Sequence, residues 1–245
     1  MDTLKGTVVF ITGGTKGIGF GIALALLEEG CYVAITGRHL EKAHQAATIL
    51  NQSGDYTGRA LGVVSDVRDF ESQQAAVQLV LSEFGKVDVV IANAGIGHFA
   101  PVSELTIKQW NDTIDTNLTG AFYTLKASSA ALKETKGYYI SVSSLAGTNF
   151  FANGAAYNAS KFGLTGFTQA AMLDLRKYGI KTTTIMPGSV ATHFNGHVPS
   201  DEDQWKIQIE DLGKIVVDLL KMPHRTLPSK IEIRPTIPPS VNKKP

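Results

Sequence analysis

A phenol and an ammonium stand four residues apart at Tyr157 and Lys161, within a stretch whose periodicity predicts a helix. That spacing places both side chains on one face, a turn apart. A free tyrosine ionises near pH 10, so alone it is a poor donor or acceptor of protons at neutrality. A cation beside it favours the phenolate and is expected to bring its pKa towards working range. The pair has the make-up of a proton-transfer couple, although Tyr and Lys also meet on solvated helix faces. The surrounding sequence has to decide between the two.

The elements that would carry the pair alternate in type. Short apolar, β-branched runs recur at 7–12, 31–36, 59–64, 87–92, 137–142, 181–186 and 230–234. Between them lie stretches of helical periodicity at 18–29, 40–51, 70–84, 107–133, 155–178 and 201–220. The last of these sets Trp205, Ile209, Leu212, Ile215, Val216 and Leu219 along one stripe. Strand–helix alternation of this kind predicts an α/β fold: one parallel, doubly wound sheet of about seven strands with helices on both faces. No linker or internal repeat interrupts residues 1–234, so one domain is expected, followed by a Pro- and Lys-rich tail at 235–245. Such sheets bind ligands beyond the carboxyl ends of their strands.

The strand ends hold suitable residues. After the first run comes Thr12-Gly13-Gly14-Thr15-Lys16-Gly17-Ile18-Gly19, opening directly into a helix. Glycines let backbone amides approach a pyrophosphate, and the helix N-terminus adds partial positive charge. At the second strand end, where an acid would accept from a ribose 2′-hydroxyl, the residues are Thr36-Gly37-Arg38-His39. Arg38 offers a planar fork for a phosphate, and Lys16 is within reach of the same place. Two cations and no acid predict NADP(H) rather than NAD(H). Asp66 after the third run and Asn93-Ala94-Gly95 after the fourth complete the series.

Taken together these residues resemble the short-chain dehydrogenase/reductase family over nearly the whole chain. The resemblance rests on the Gly-x-x-x-Gly-x-Gly turn from Gly13, Asp66-Val67, Asn93-Ala94-Gly95, Asn117, Ser144, Tyr157-Asn158-Ala159-Ser160-Lys161 and Pro187-Gly188-Ser189-Val190-Ala191-Thr192. Ala92 departs from it, since many members carry Asn there. The resemblance implies a Rossmann-type fold and an NADP(H)-dependent oxidoreductase interconverting a ketone or aldehyde and an alcohol. Tyr157 would be the general acid/base, and Lys161 would hold the nicotinamide ribose and lower the tyrosine pKa. Ser144 would bond the substrate oxygen, while Asn117 would bend its helix and hold a relaying water. Composition does not separate Ser143 from Ser144; the family's interval of thirteen residues before the tyrosine selects Ser144. The resemblance, with the strand-end reading, makes Gly13, Thr15, Lys16, Gly17, Ile18, Gly19 and Arg38 cofactor-binding residues. It gives Asp66 and Val67 to adenine, Asn93, Ala94 and Gly95 to its ribose, and Pro187, Gly188, Val190 and Thr192 to the nicotinamide amide. Members commonly form dimers or tetramers through the helices carrying Asn117 and Tyr157, so a homodimer or homotetramer is expected.

Two alternatives accompany this reading: a 3-oxoacyl-carrier-protein reductase and a catalytically silent NADP(H)-binding regulator. The intact Asn117, Ser144, Tyr157 and Lys161 set weighs against silence. Carrier-protein reductases of the family usually end in a Gly-rich segment, whereas this chain ends in Leu227-Pro228-Ser229-Lys230-Ile231-Glu232-Ile233-Arg234, more similar to sepiapterin-reductase-like members.

The remaining features are less specific. Phe99, Phe150, Phe151 and Phe194 all follow strand ends, where they would line an apolar substrate pocket or serve ordinary packing; His98 shares that ambiguity. His193 and His197 lack a neighbouring ligand set for a metal, and no metal is expected; they belong with the loop over the substrate. Asp201-Glu202-Asp203 reads as a solvated helix start. Cys31, the one cysteine, opens an apolar run and reads as a buried, inert thiol. The net charge of +1 gives no reason to expect nucleic acid or an anionic membrane as partner, only a small-molecule substrate. The N-terminus lacks a signal-peptide layout and no apolar run is long enough to span a bilayer, so a cytoplasmic location is expected and the Asn-x-Ser/Thr triplets at Asn51, Asn117 and Asn158 are chance matches.

Overall fold

The computed structural model describes residues 3–237. Its centre is one parallel sheet of seven strands: β1 (Val8–Ile11), β2 (Tyr32–Gly37), β3 (Ala60–Val64), β4 (Val89–Ala92), β5 (Tyr138–Val142), β6 (Lys181–Pro187) and β7 (Lys230–Ile233). Their spatial order is β3-β2-β1-β4-β5-β6-β7. The chain therefore winds outward from β1 to β3, returns to the other side of β1 and winds outward again. The switch point lies between β1 and β4, where Val9, Phe10 and Ile11 pair with Val89, Val90 and Ile91. A crevice opens there because the loops leaving the two strands diverge to opposite faces.

The connecting helices are α1 (Gly17–Glu28), α2 (Leu40–Gln52), α3 (Phe70–Phe84), α4 (Ile107–Ile114), α5 (Gly120–Thr135), α6 (Ala155–Leu175) and α7 (Ile209–Leu220). Alternation along each strand sorts two cores. Val9, Ile11, Val33, Ile35 and Ile91 face α1, α2 and α7 through Ile22, Leu26, Leu50 and Val216. Val8, Phe10, Ala34 and Val90 face α3, α5 and α6 through Val77, Val80, Leu125 and Leu164. This is the doubly wound α/β fold expected from the alternation of runs.

Two expected helices are interrupted. The stretch from 107 becomes α4 and α5 joined by a π-helical turn, Asp115–Thr119, which carries Asn117. The stretch from 201 is not one helix: Asp201–Asp203 forms a single 3₁₀ turn, and α7 starts only at Ile209. Its break has a physical cause. Ile207 leaves the helical path to bridge Val190, with Ile207 N–H donating to Ser189 O at 3.1 Å and Ala191 N–H to Ile207 O at 2.9 Å. Gln208 then opens α7 in a capping box with Asp211. Of the expected tail, Pro235–Ile237 border a cleft with Trp205 and Ile207, and residues 238–245 lie outside the described residues. Among the described residues no helix is long and apolar enough to cross a membrane.

Candidate active site

The loop after β1 is held open by contacts on both sides. Gly13 and Gly17 sit at φ +67° and +62°, a region that β-carbon sterics disfavour. A Cβ on Gly13 would fall 2.8 Å from Ala94 Cα, so the loop lies directly against the turn after β4. Thr12, absent from the expected site set, makes that junction: its buried Oγ1 accepts from Asn93 N–H at 3.1 Å and Ala94 N–H at 3.2 Å. Asn93 returns the bond, Nδ2 donating to Thr12 O and Gly13 O at 2.9 Å each. The Asn93 side chain is thereby committed to shaping the loop, a role that only its register opposite β1 could reveal.

Helix α1 begins at Gly17 with no side-chain cap and no acid in its first turn. Its first amides therefore point into the crevice without partners from the cap, as an anion site requires. The Ile18 side chain turns back and packs against the core. Thr15 leans on the end of β2, where a Cβ on Gly37 would meet Thr15 Cγ2 at 2.6 Å, so Arg38 lies beside the glycine loop. Arg38 and Lys16 are both exposed, and neither enters an ion pair among the described residues. Asp66 is instead held by Arg68, whose Nη2 lies 2.6 Å from Oδ2, which keeps the carboxyl below its usual range. Val67 is buried against the start of α5, where it would meet a Cβ on Gly120.

At the far wall, Pro187 ends β6 and Gly188 N–H donates to Ile233 O at 2.8 Å. Thr192 is buried with its methyl 3.6 Å from where a Cβ of Gly17 would stand, so the segment after β6 closes onto the glycine loop. The expected cofactor-contact residues thus gather at the carboxyl ends of the strands, where the backbone of Val190 is bridged to Ile207.

Tyr157, Lys161, Ser144 and Asn117 meet at the centre of the same crevice. Lys161 is 4% exposed, and its Nζ donates to Val142 O at 3.0 Å. It stands 5.7 Å from the Tyr157 ring centroid and 3.6 Å from the position a Gly95 Cβ would take. Burial brings its pKa down from 10.5 to about 8. The Tyr157 pKa does not follow the expected direction. Burial of the phenol raises it, and the hydrogen bond with Ser144 only partly offsets that rise. The ammonium is turned towards the strand carbonyl, and a desolvated phenol favours its neutral form. A neutral phenol is the form that donates a proton.

The two serines separate clearly. Ser143 is buried and its Oγ faces α6, 3.2 Å from Lys161 O and 3.0 Å from Thr165 Oγ1. Ser144 is half-buried and faces the phenol. Asn117 bonds the backbone of Ile96 in both directions at 2.8 Å, and its Nδ2 also donates to Ser160 Oγ at 3.0 Å. Its side chain fastens the loop after β4 to α6. Asn158 does the same for the loop after β5, donating to Ala146 O and Asn149 O at 2.8 Å each.

Three of the four phenylalanines gather on Tyr157. Phe99 and Phe194 have ring centroids 5.5 Å and 5.6 Å from it, and Phe151 touches Phe99 at 5.9 Å. Phe150 points outward, 87% exposed. Asp203 also departs from its expected solvated place. It is 5% exposed, pairs with His197 Nε2 and Lys206 Nζ at 2.5 Å each, and is lowered to about 2 by those bonds. His197 is therefore part of a loop anchor.

Residues 7–203 match the family profile described as short chain dehydrogenase. The chain belongs to that family. It is an oxidoreductase of the short-chain dehydrogenase type, with the Rossmann-type sheet of that group. A trans-4-hydroxycyclohexanecarboxylate dehydrogenase from Sinomonas cyclohexanicum is 34% identical over 86% of this chain and 85% of its own length. Among solved structures, an alcohol dehydrogenase from the archaeon Thermococcus sibiricus, complexed with 5-hydroxy-NADP, superposes with a TM-score of 0.88 at 28% identity, covering 94% of this chain and 97% of that one. A metagenomic short-chain oxidoreductase in complex with NADP gives 0.82 at 31% identity over 96% and 100% of the two chains.

Proposed function

We propose that this dehydrogenase interconverts a ketone or aldehyde and an alcohol with NADP(H) as hydride carrier. The observation that carries the reading is the meeting of Tyr157, Ser144 and Lys161 at the floor of the crevice whose rim holds the glycine loop and Arg38. The glycine loop and the first turn of α1 fit a pyrophosphate, and Arg38 with Lys16 fits a 2′-phosphate. The adenosine end would lie against Asp66, Val67 and Asn93–Gly95, and the nicotinamide end against Pro187–Thr192 and Lys161. The alcohol dehydrogenase and the NADP complex among the solved relatives support the same choice.

When bound, NADPH supplies the hydride and leaves as NADP+. The protein's own work is on the oxygen. Ser144 and Tyr157 hydrogen-bond the carbonyl oxygen, which polarises the carbon that accepts the hydride. As negative charge develops on oxygen, the neutral Tyr157 phenol donates its proton, and C=O becomes CH–OH. The phenolate left behind lies beside the Lys161 ammonium, whose field lowers the cost of that state. Oxidation runs the same steps backwards.

The test is NADPH consumption with a panel of ketones and aldehydes, comparing wild type with Tyr157→Phe and Arg38→Ala. Removing the proton donor is expected to lower kcat by about 10²-fold or more. Loss of Arg38 is expected to raise KM for NADPH by about tenfold and leave KM for NADH nearly unchanged. Equal turnover by wild type and Tyr157→Phe would refute the mechanism, and an unchanged NADPH/NADH ratio would refute the phosphate contact.

A further inference from the structure

Phe99, Phe151 and Phe194 come from three separate loops, those after β4, β5 and β6, yet share one patch around the Tyr157 phenol. They remain 38%, 48% and 37% exposed. Three half-exposed aromatic rings in contact form an apolar surface that solvent alone does not favour, and such surfaces mark ligand sites. Gly97 makes the arrangement possible: a Cβ there would stand 2.7 Å from Phe194 Cζ and 2.8 Å from Phe99 Cζ. The Phe99 ring meets Tyr157 and Phe194 edge to face, at 64° and 66°, so ring faces and edges are presented together. A flat or cyclic ligand gains from such surfaces beyond the area it covers.

The charge pattern of the same loops is equally specific. Residues 93–105, 144–157 and 188–200 contain no lysine or arginine. Their titratable side chains are His98, Glu104, Tyr157, His193 and His197, and His197 is bonded to Asp203. Lys206, the next cation along the chain, pairs with Asp203 as well. Lys161 is buried beneath and bonded to Val142 O. A substrate carboxylate or phosphate placed among the three rings would lose water and meet no lysine or arginine of these loops.

We propose that this site selects an uncharged, ring-bearing carbonyl compound, a cycloalkyl or aryl ketone, with its ring held by Phe99, Phe151 and Phe194. The proposal rests on the carbonyl-reductase reading and adds a substrate class to it. In the reaction the carbonyl carbon gains a hydride from NADPH and the oxygen gains the Tyr157 proton. The same pattern disfavours thioesters of an acidic carrier, whose phosphate would require basic residues at the mouth.

The experiment compares 4-methylcyclohexanone with 2-heptanone, of equal carbon count, and with 4-oxocyclohexanecarboxylate, the same ring bearing a charge. Turnover is measured with NADPH, and binding of each ketone is measured separately by calorimetry in the presence of NADP+, where no reaction proceeds. The neutral ring is expected to exceed both others in kcat/KM and in affinity by about tenfold. Phe99→Ala and Phe194→Ala are expected to lower kcat/KM for the ring ketone about tenfold, with a smaller effect on 2-butanone. Phe150→Ala, adjacent in sequence but outside the patch, is the control and leaves all values unchanged. Equal or better turnover of the carboxylate, or equal losses on every substrate, overturns the ring-site assignment while leaving the reductase reading intact. Ring-selective binding without turnover of any carbonyl compound has the reverse meaning: the ring site stands and the reductase reading falls. Neither binding nor turnover of any of these carbonyl compounds overturns both.

Discussion

Lys161 shows how strongly a neighbour's meaning depends on what surrounds it. From the sequence, its four-residue distance from Tyr157 implies a cation acting on a phenol. In the fold, the ammonium is buried and bonded to Val142 O, so its clearest electrostatic effect is on itself. Its pKa of about 8 against an ordinary 10.5 has a consequence for stability. Between those values the unfolded chain carries a proton at this position and the native chain does not, so native stability rises with pH across that window. Below pH 8 both states are charged and the burial cost is felt in full. Replacing the residue by methionine removes the charge in both states. Lys161→Met is therefore expected to gain on wild type at pH 7, and that relative gain should shrink by on the order of 3 kcal/mol as pH rises to about 10.5. Urea unfolding of both proteins at several pH values measures it, and a pH-independent difference refutes the burial account. The gain in stability accompanies loss of activity, as expected where a buried charge is kept for chemistry rather than folding.

Strands and most helices were legible because their signals are local: β-branched runs for the sheet, 3.6-residue stripes for the helices. The failures occur where a contact distant in sequence overrides the stripe. Residues 201–220 carry a helical stripe, yet Ile207 is captured by Val190 and the helix cannot start before Ile209. The π turn at Asn117 is equally invisible locally, because its cause is the bonding of that side chain to Ile96 and Ser160. Asp203 is the most instructive case, since an acidic triplet normally marks a solvated helix start. Here its carboxylate joins His197 and Lys206 and accepts from Ser200 N–H at 3.2 Å, anchoring the loop that brings Phe194 over Tyr157. Because its pKa is lowered from 3.8 to about 2, its stabilising contribution is complete above the ordinary value and is lost as pH falls through about 2, so the anchor holds throughout the working range. Asp203→Asn keeps the shape and removes the charge. It is expected to raise KM for the carbonyl substrate by roughly five- to tenfold with a smaller change in kcat, and to speed proteolytic cleavage within residues 193–200. Steady-state kinetics and limited proteolysis check this, and unaltered values for both would remove the loop from the binding step.

At the scale of the molecule, the reversal of strand order was the one topological fact needed to gather the site, and it follows from the parallel, doubly wound arrangement. The same arrangement leaves one helical face uncovered. Phe122 on α5 and Phe162 on α6 are 42% and 43% exposed, with Leu173 on α6 at 52%. Phe167 of α6 packs edge-on to Phe122 at 6.1 Å, so these two rings form a ridge across two neighbouring helices. Lys126 and Asp174 border this ridge, giving each copy one charge of either sign at the edge of an apolar strip. A two-fold axis through such a strip would bury both copies of each phenylalanine and set like elements against each other, an isologous contact. Each phenylalanine removed from water contributes about 2 kcal/mol, counted twice across the axis. The protein is therefore expected to sediment as a dimer or a tetramer. Phe122→Glu places two carboxylates in the strip of a dimer and should shift the mass to that of one chain, with unchanged far-ultraviolet circular dichroism confirming that the fold survives. A wild-type protein that sediments as a single chain would refute the interface. The catalytic consequence can be read in the same sample, because α6 carries both Phe167 of the ridge and Tyr157. Loss of the partner should loosen α6 and lower kcat together with the change in mass.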